Sequence, residues 1–317
     1  MTAGSRERYT LIMSRHARDT IAYSILRVIL AIGGRLPLAV NRFLGRIVVR
    51  FAFLFLKRDK RRMREHMAIA FPENDEKEMR RLMRRCTDHF GQVLGEVAWL
   101  WGADAADVER LVEVEGLEHI SEELAKGRGG ILITGHIGNW ELFNARMAIA
   151  GIPYMLAVRE LDDPRMNEIV TGLRTKFGTK VIQRGQSAGT QLAKNLSIGE
   201  GVGLLIDQDI PKIPGVFVPF FGHLARTPSG AATLALRQKC GMVSGFIHRK
   251  PDGTHKIIIG RPFDVPTEGK LRARVEKMTA DATAAIEWHV RAWPEQWVWM
   301  HRRWRTRPED EVSGDES

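Results

Sequence analysis

The sequence predicts an α/β fold, a mixed and largely parallel sheet flanked by helices, preceded by a helical segment suited to a membrane surface. Three observations carry this reading. From about residue 75 onward, short apolar runs alternate with amphipathic stretches, as buried strands do under covering helices. Two of the runs flank "KPDGT", a hairpin turn, so one strand pair is antiparallel. Ahead of residue 57, two apolar runs carry arginines and almost no acidic side chains.

In chain order, the first 20 residues are polar and basic and form a tail. The runs "IAYSILRVILAIGG" (21–34) and "LPLAVNRFLGRIVVRFAFLFL" (36–56) follow. Neither is a clean membrane span, which needs roughly 20 mostly apolar residues. Arg27 interrupts the first, and Arg42, Arg46 and Arg50 interrupt the second. These three recur at every fourth position, so a helix puts them on one face with Phe43, Val48, Phe51 and Phe55 largely elsewhere. That pattern fits a helix lying in a membrane interface, its guanidinium groups reaching phosphate. The cluster "KRDKRRMR" (57–64) beside it suits an anionic cytoplasmic leaflet. The alternative is an amphipathic helix docked on the protein's own core. The first run has the length of a signal-peptide core but no small-residue cleavage site after it, so secretion is not expected.

Farther on, "EKEMRRLMRRCTDHFGQVLGEVAWLW" has helical periodicity. Strands are expected at 131–134, 153–158, 202–206, 242–248 and 255–260. Helices are expected between them at 139–150, 163–177, 187–198, 228–240 and 268–291. No internal repeat is present, and the tail, 309–317, has the composition of a disordered segment.

Among the 317 residues, 48 Lys and Arg stand against 38 Asp and Glu, a net charge of +10. Such an excess points to anionic partners: nucleic acid, a phospholipid surface or a phosphorylated substrate. The two cysteines, Cys86 and Cys240, lack metal-ligand spacing, which argues against structural zinc or a disulfide scaffold and for a reducing compartment.

The stretch "ILITGHIGNWELFNARM" (131–147) reads as a buried strand, a turn framed by Gly135 and Gly138, and a helix capped by Asn139. His136 then lies at the C-terminal mouth of a strand, where α/β sheets carry their sites. On one continuous helix His136 and Glu141 would diverge by about 140°, but across a strand-to-helix turn they can converge. A Glu on one imidazole nitrogen fixes the tautomer and raises the basicity of the other. No GxSxG elbow or Cys/His signature accompanies the pair, so the attacking oxygen is expected to belong to a substrate. Backbone amides near Gly135 and Gly138 are the natural oxyanion donors.

"GHIGNWE" resembles the signature of the bacterial lipid A late acyltransferases, the lauroyl and myristoyl transferases of the wider superfamily with a His and, after four residues, an Asp or Glu. The similarity extends to "DDPRMNEIVTGLRTKFGTKVIQR", "LAKNLSIGEGVGLLIDQD", "VFVPFFGHLARTPSGAATLA" and "PEQWVWMHRRWRTRP", in the family's order and approximate spacing, over most of residues 60–308. One departure is "EHMAIAFPE", where His66 replaces a usual Asn.

The resemblance implies a glycerolphosphate-acyltransferase-like fold. It also implies acyl transfer from an acyl-carrier-protein thioester to a hydroxyl of a phosphorylated lipid A precursor, at the cytoplasmic face of the bacterial inner membrane. The domains are then the tail (1–20), a membrane-associated helical segment with its basic cluster (21–64), the acyltransferase domain (65–308) and the disordered tail (309–317). By position in the motifs His136 is the general base and Glu141 its orienting partner. Arg174, in "GLRTKFG", and Asp207, in "LIDQD", match two further family positions. Arg174 suits a bidentate phosphate contact, and Asp207 suits Arg174 or a substrate hydroxyl. Arg159 and Arg184 are candidates for the anionic head group, and Asn139 and Asp209 are further substrate-binding candidates. Asp207 and Asp209 alone are too few ligands for a divalent metal, and no metal or cofactor is expected.

The closing block interleaves Trp293, Trp297, Trp299 and Trp304 with Arg302, Arg303, Arg305 and Arg307. Such sequence can stack on single-stranded nucleic acid, but no nucleic-acid motif accompanies it, and the family pattern assigns it to headgroups. Trp297 and Trp299 suit the core equally. Competing readings are the same chemistry on another glycolipid, such as a mannosylated phosphatidylinositol with acyl-coenzyme A as donor, and a membrane-associated acyl hydrolase.

Overall fold

The computed structural model describes residues 19–183, 185 and 187–309. Arg184, all but the last two residues of the 1–20 tail and all but the first of the 309–317 tail lie outside the described residues.

Four helices come first: α1 over 19–33 of the described residues, α2 Leu38–Phe55, α3 Lys57–Ala70 and α4 Glu76–Leu100. A capping box starts α4, with the Asp75 carboxylate accepting from the Glu78 amide and the Glu78 carboxylate from the Asp75 amide. Helix α2 crosses α4 at backbone contact. A Cβ on Gly45 would stand 2.1 Å from the Gly91 carbonyl oxygen, so no larger residue fits there.

This crossing corrects the expected row of phosphate-facing arginines. Arg42 turns inward, its Nε donating to buried Glu96 at 2.7 Å, and Arg50 makes a bidentate pair with Asp88 at 2.5 and 2.7 Å. Of the three, only Arg46 has no ion pair among the described residues. The outward faces are apolar instead: Ile21, Ile25, Val28 and Ile32 on α1, and Phe43, Ile47, Phe51 and Phe55 on α2, are all exposed. Among the described residues no helix is long and apolar enough to cross a membrane.

Beyond α4 the chain alternates as expected. The elements are α5 Ala105–Leu111, β1 Val112–Glu115, α6 Leu117–Ala125, β2 Gly130–Thr134, α7 Trp140–Ile149, β3 Tyr154–Val158 and α8 Pro164–Thr175. They continue with β4 Lys180–Gln183, α9 Ala188–Ser197, β5 Gly201–Leu205, β6 Gly215–Phe220, β7 His223–Pro228, α10 Gly230–Gln238, β8 Gly241–Arg249, β9 His255–Ile259 and α11 Leu271–Ala292. Seven strands form one sheet in the order β1-β9-β8-β2-β5-β3-β4. Every neighbouring pair is parallel except β8/β9, the hairpin closed around "KPDGT", where the Lys250 amide donates to the Thr254 carbonyl.

Each expected strand and helix of this part has a counterpart, with ends shifted by a few residues. Four strands were not expected. β1 and β4 are four-residue edge strands, and β6/β7 is a separate antiparallel hairpin. Side chains alternate across β2: Ile131 and Ile133 pack with Met63, Met67 and Trp297 on one face, and Leu132 packs with Leu142 and Val243 on the other.

Candidate active site

At the end of β2 the chain turns through residues 135–138 into α7. Gly138 has φ +62°, and a Cβ there would stand 2.1 Å from the Ile247 carbonyl oxygen, so the turn admits only glycine. Asn139 caps α7, its Oδ1 accepting from the Glu141 and Leu142 amides at 3.2 Å. The opposite atom, Nδ2, donates to Glu96 at 2.9 Å. Asn139 is fully buried and so is a structural residue, which corrects its expected role in substrate binding.

Because β5 lies parallel beside β2, the residues after Leu205 come level with the turn: the Ile206 amide donates to the Thr134 carbonyl, and Asp207 follows it. Its carboxylate is fully buried and accepts three hydrogen bonds. Nδ1 of His136 donates to Oδ1 at 2.8 Å, and Oδ2 accepts from the His136 amide at 2.8 Å and Trp297 Nε1 at 2.9 Å. Burial alone would raise the pKa of Asp207. The facing imidazole of His136, its hydrogen bonds and His301 outweigh that and hold the carboxyl well below the usual carboxylate range. Asp207 is therefore charged, and it fixes the tautomer that leaves Nε2 of His136 as the basic nitrogen.

This replaces the expected His136–Glu141 contact. The Glu141 carboxylate instead receives Arg174, from the last turn of α8, with Nη2 at 2.6 Å and Nε at 3.1 Å from Oε1. Arg174 is thus held by Glu141 rather than by Asp207. Two of the amides near Gly135 and Gly138 are engaged, that of His136 to Asp207 and that of Gly138 to the Gln296 carbonyl at 2.8 Å. Asp209 accepts from the Thr306 amide at 2.7 Å and lies 3.8 Å from Arg226, so it braces the C-terminal segment and does not line the cavity.

Two residues that the sequence did not single out complete the cluster. Nε2 of Gln208 lies 3.2 Å from Nε2 of His136 and 2.8 Å from Nδ1 of His301, and the two imidazoles meet edge to face at 4.9 Å. Burial, and then the neighbouring His136, push His301 down to about 4, so it is neutral at physiological pH. The nitrogen and oxygen atoms of His136, Asp207 and His301 come within 4.8 Å of one another. The proton shared between His136 and Asp207 and the amide between the rings account for this closeness.

A cavity of about 420 Å³ opens beside His136. Trp140, Glu141, Arg174 and Gln208 stand with His136 as its polar or amphipathic lining, and Leu132, Phe143, Leu156, Val170 and Leu205 form apolar walls. Exposed Arg159 is at its rim with Leu161. The first described turns of α1 meet the first turn of α8, the helix that supplies Val170 and Arg174 to the cavity: Thr20 Oγ1 accepts from Arg165 at 3.2 Å, and Arg165 lies over the Tyr23 ring.

The closing tryptophan-arginine block is mostly interior. Trp297 and Trp299 are fully buried, and buried Arg303 donates to the Arg226 carbonyl and Thr227 Oγ1. Arg302, Arg305 and Arg307 are exposed. His66, the departure from the family pattern, faces the Trp299 carbonyl at 2.9 Å through Nδ1.

The sequence model of the bacterial lipid A biosynthesis acyltransferases matches residues 10–306. A lipid A biosynthesis lauroyltransferase of Escherichia coli (strain K12) is 30% identical over 276 residues, 87% of this chain and 88% of the relative. A lipid A biosynthesis palmitoleoyltransferase of the same strain is 28% identical, covering 88% of this chain and 89% of the relative. A phosphatidylinositol mannoside acyltransferase of Mycolicibacterium smegmatis (strain ATCC 700084 / mc(2)155) is 23% identical, covering 73% and 74%.

Proposed function

We infer the function from one premise: the chain belongs to the bacterial lipid A biosynthesis acyltransferase family and is an O-acyltransferase. We propose that it moves a fatty acyl chain from an acyl-carrier-protein thioester to a hydroxyl, free or on a hydroxyacyl chain, of a phosphorylated lipid A precursor. The observation that carries this reading is an imidazole held by a buried carboxylate at the mouth of an apolar-walled cavity whose lining residues include no serine or cysteine.

In the proposed reaction Nε2 of His136 takes the proton of the acceptor hydroxyl as its oxygen bonds to the thioester carbonyl carbon. Asp207 stabilises the imidazolium so formed. The tetrahedral oxyanion collapses, the carbon–sulfur bond breaks and the imidazolium returns its proton to the leaving thiolate. Gln208 and Arg174 are the donors beside His136 that suit the oxyanion or a phosphate. Glu141 acts here as the anchor of Arg174. The apolar walls suit the acyl chain.

The chain works at the inner membrane with its catalytic domain on the cytoplasmic side in this reading. Support comes from the exposed apolar faces of α1 and α2, and from the contact of α1 with the first turn of α8, the helix whose Val170 and Arg174 line the cavity.

The test is mass spectrometry of lipid products after membranes containing the wild-type or His136→Ala chain meet a mixed pool of acyl-carrier-protein thioesters and tetra-acylated lipid A precursor. A mass gain of one acyl group, lost in the variant, is the expected result. An unmodified precursor with intact thioester, while acyl-coenzyme A and a mannosylated phosphatidylinositol give product, would move the assignment to that acceptor. Free fatty acid as the sole product would make the protein a hydrolase.

A further inference from the structure

A second groove lies between α2, α3 and α4, with a volume of about 650 Å³. Its floor is apolar: Phe53 and Met63 are buried and Met83 half-buried. Three cations line it. Arg50 is neutralised by its bidentate pair with Asp88, another lining residue. Lys60 and Arg84 have no ion pair among the described residues and remain uncompensated. At one edge stands Leu54, 60% exposed, continuous with exposed Phe51 and Phe55 on the apolar face of α2.

The lining selects a class of ligand. A hydrated anion gains nothing from the apolar floor, and a hydrocarbon gains nothing from two free cations. A molecule with an anionic head beside an acyl chain matches both. The groove is also remote from the reacting groups. On α4, Cys86 and His89 turn toward Trp297 and Gly138, the catalytic side, whereas Met83, Arg84 and Thr87 turn toward the groove. A phosphorylated acceptor seated there would be on the wrong side of α4 for His136.

We propose that this groove binds one anionic phospholipid of the surrounding membrane, its phosphate between Lys60 and Arg84 and part of a chain over Phe53 and Met83. The site would fix how deep and at what tilt the α1–α2 face sits in an anionic leaflet. It rests on the membrane-face reading of α1 and α2, which the experiment tests separately.

The full chain, purified in mild detergent, is incubated with dioleoyl phosphatidylglycerol or dioleoyl phosphatidylcholine and examined by native mass spectrometry. One phosphatidylglycerol per chain is expected, with phosphatidylcholine bound far more weakly. Lys60→Gln/Arg84→Gln should weaken retention about 25-fold, at about fivefold per cation. Met83→Trp, which fills the floor without altering charge, should also abolish it. Arg58→Gln/Arg61→Gln, the same charge change on α3 outside the groove, should leave it intact. Equal loss in this control, unchanged retention in the groove variants, or displacement by inorganic phosphate would each overturn the proposal. Circular dichroism and acyl transfer, unchanged in all variants, exclude unfolding as the cause. Flotation with phosphatidylcholine vesicles reads the apolar face alone: failure to float would sink the membrane-face reading, whatever the detergent result.

Discussion

Asp207 and Glu96 are both fully buried carboxylates that accept from a histidine, yet they do different work. Glu96, on α4, receives Arg42 from α2, Arg249 from β8, His255 from β9 and Asn139 from the cap of α7. Its partner His255 is itself fully buried, so this cluster has no path to a ligand. Burial would raise the Glu96 carboxyl, but His255 and Arg249 outweigh it and hold the group well below its ordinary range. Asp207 is held low in the same way, but its histidine keeps 19% of its side chain exposed and lines the cavity. A shifted carboxylate beside a histidine is therefore not by itself a mark of catalysis. Access of the partner nitrogen separates a clasp from a site.

The sharpest way to break this contrast is Asp207→Asn, which keeps the shape and removes the charge. Acyl transfer should fall about 10²- to 10⁴-fold with circular dichroism unchanged. Wild-type turnover in this variant would remove Asp207 from the mechanism.

The counterpart, Glu96→Gln, should cost about 3–5 kcal/mol, because it leaves buried cations uncompensated. Urea unfolding would measure this, and a midpoint equal to wild type would refute the clasp. Turnover per folded molecule should fall much less than in Asp207→Asn.

Acidification discriminates next. Burial lowers His301 and His289 to about 4 and His89 to about 3. The unfolded chain binds these protons near the ordinary value of about 6.5. Stability is thus retained above about pH 6.5 and lost as pH falls toward 4, by up to about 1.4 kcal/mol per pH unit for each histidine. Unfolding midpoints at pH 7.5, 6 and 4.5 should decline in that order, and His289→Gln should flatten the slope without altering turnover at pH 7.5.

The smallest effect is expected for His301→Gln. Losing one net hydrogen bond, about 1 kcal/mol, would lower turnover about fivefold. The acid limb of the rate profile should move as well, which a purely structural residue would not cause.

How much of this was legible in the sequence depended on how local each cause is. The strand, turn and cap from Ile131 to Leu142 were readable because Gly138 and Asn139 act within a few residues of themselves. The His136–Asp207 pair was not, since it exists only because β5 lies beside β2, a pairing that no local pattern specifies. Both residues were named as site residues, but with other partners. Arg42 read as lipid-facing because helical spacing gives a face without saying what that face meets. Here it meets Glu96. His301 was hidden in a stretch whose evident signal was tryptophan and arginine, and β1 and β4 are too short for alternation to stand out.

The hydrogen bond from Trp297 to Asp207 has a temporal meaning as well. A ribosome releases α1 and α2 early, while the groups that complete the catalytic cluster, Trp297 and His301, come late. Through most of its synthesis the nascent chain can already offer an apolar surface to a bilayer, yet Asp207 lacks its indole donor and His136 its second imidazole neighbour. On the proposed function, chemistry is thereby deferred until Trp297 has packed against β2, and a prematurely terminated product would present the apolar surface without the completed cluster.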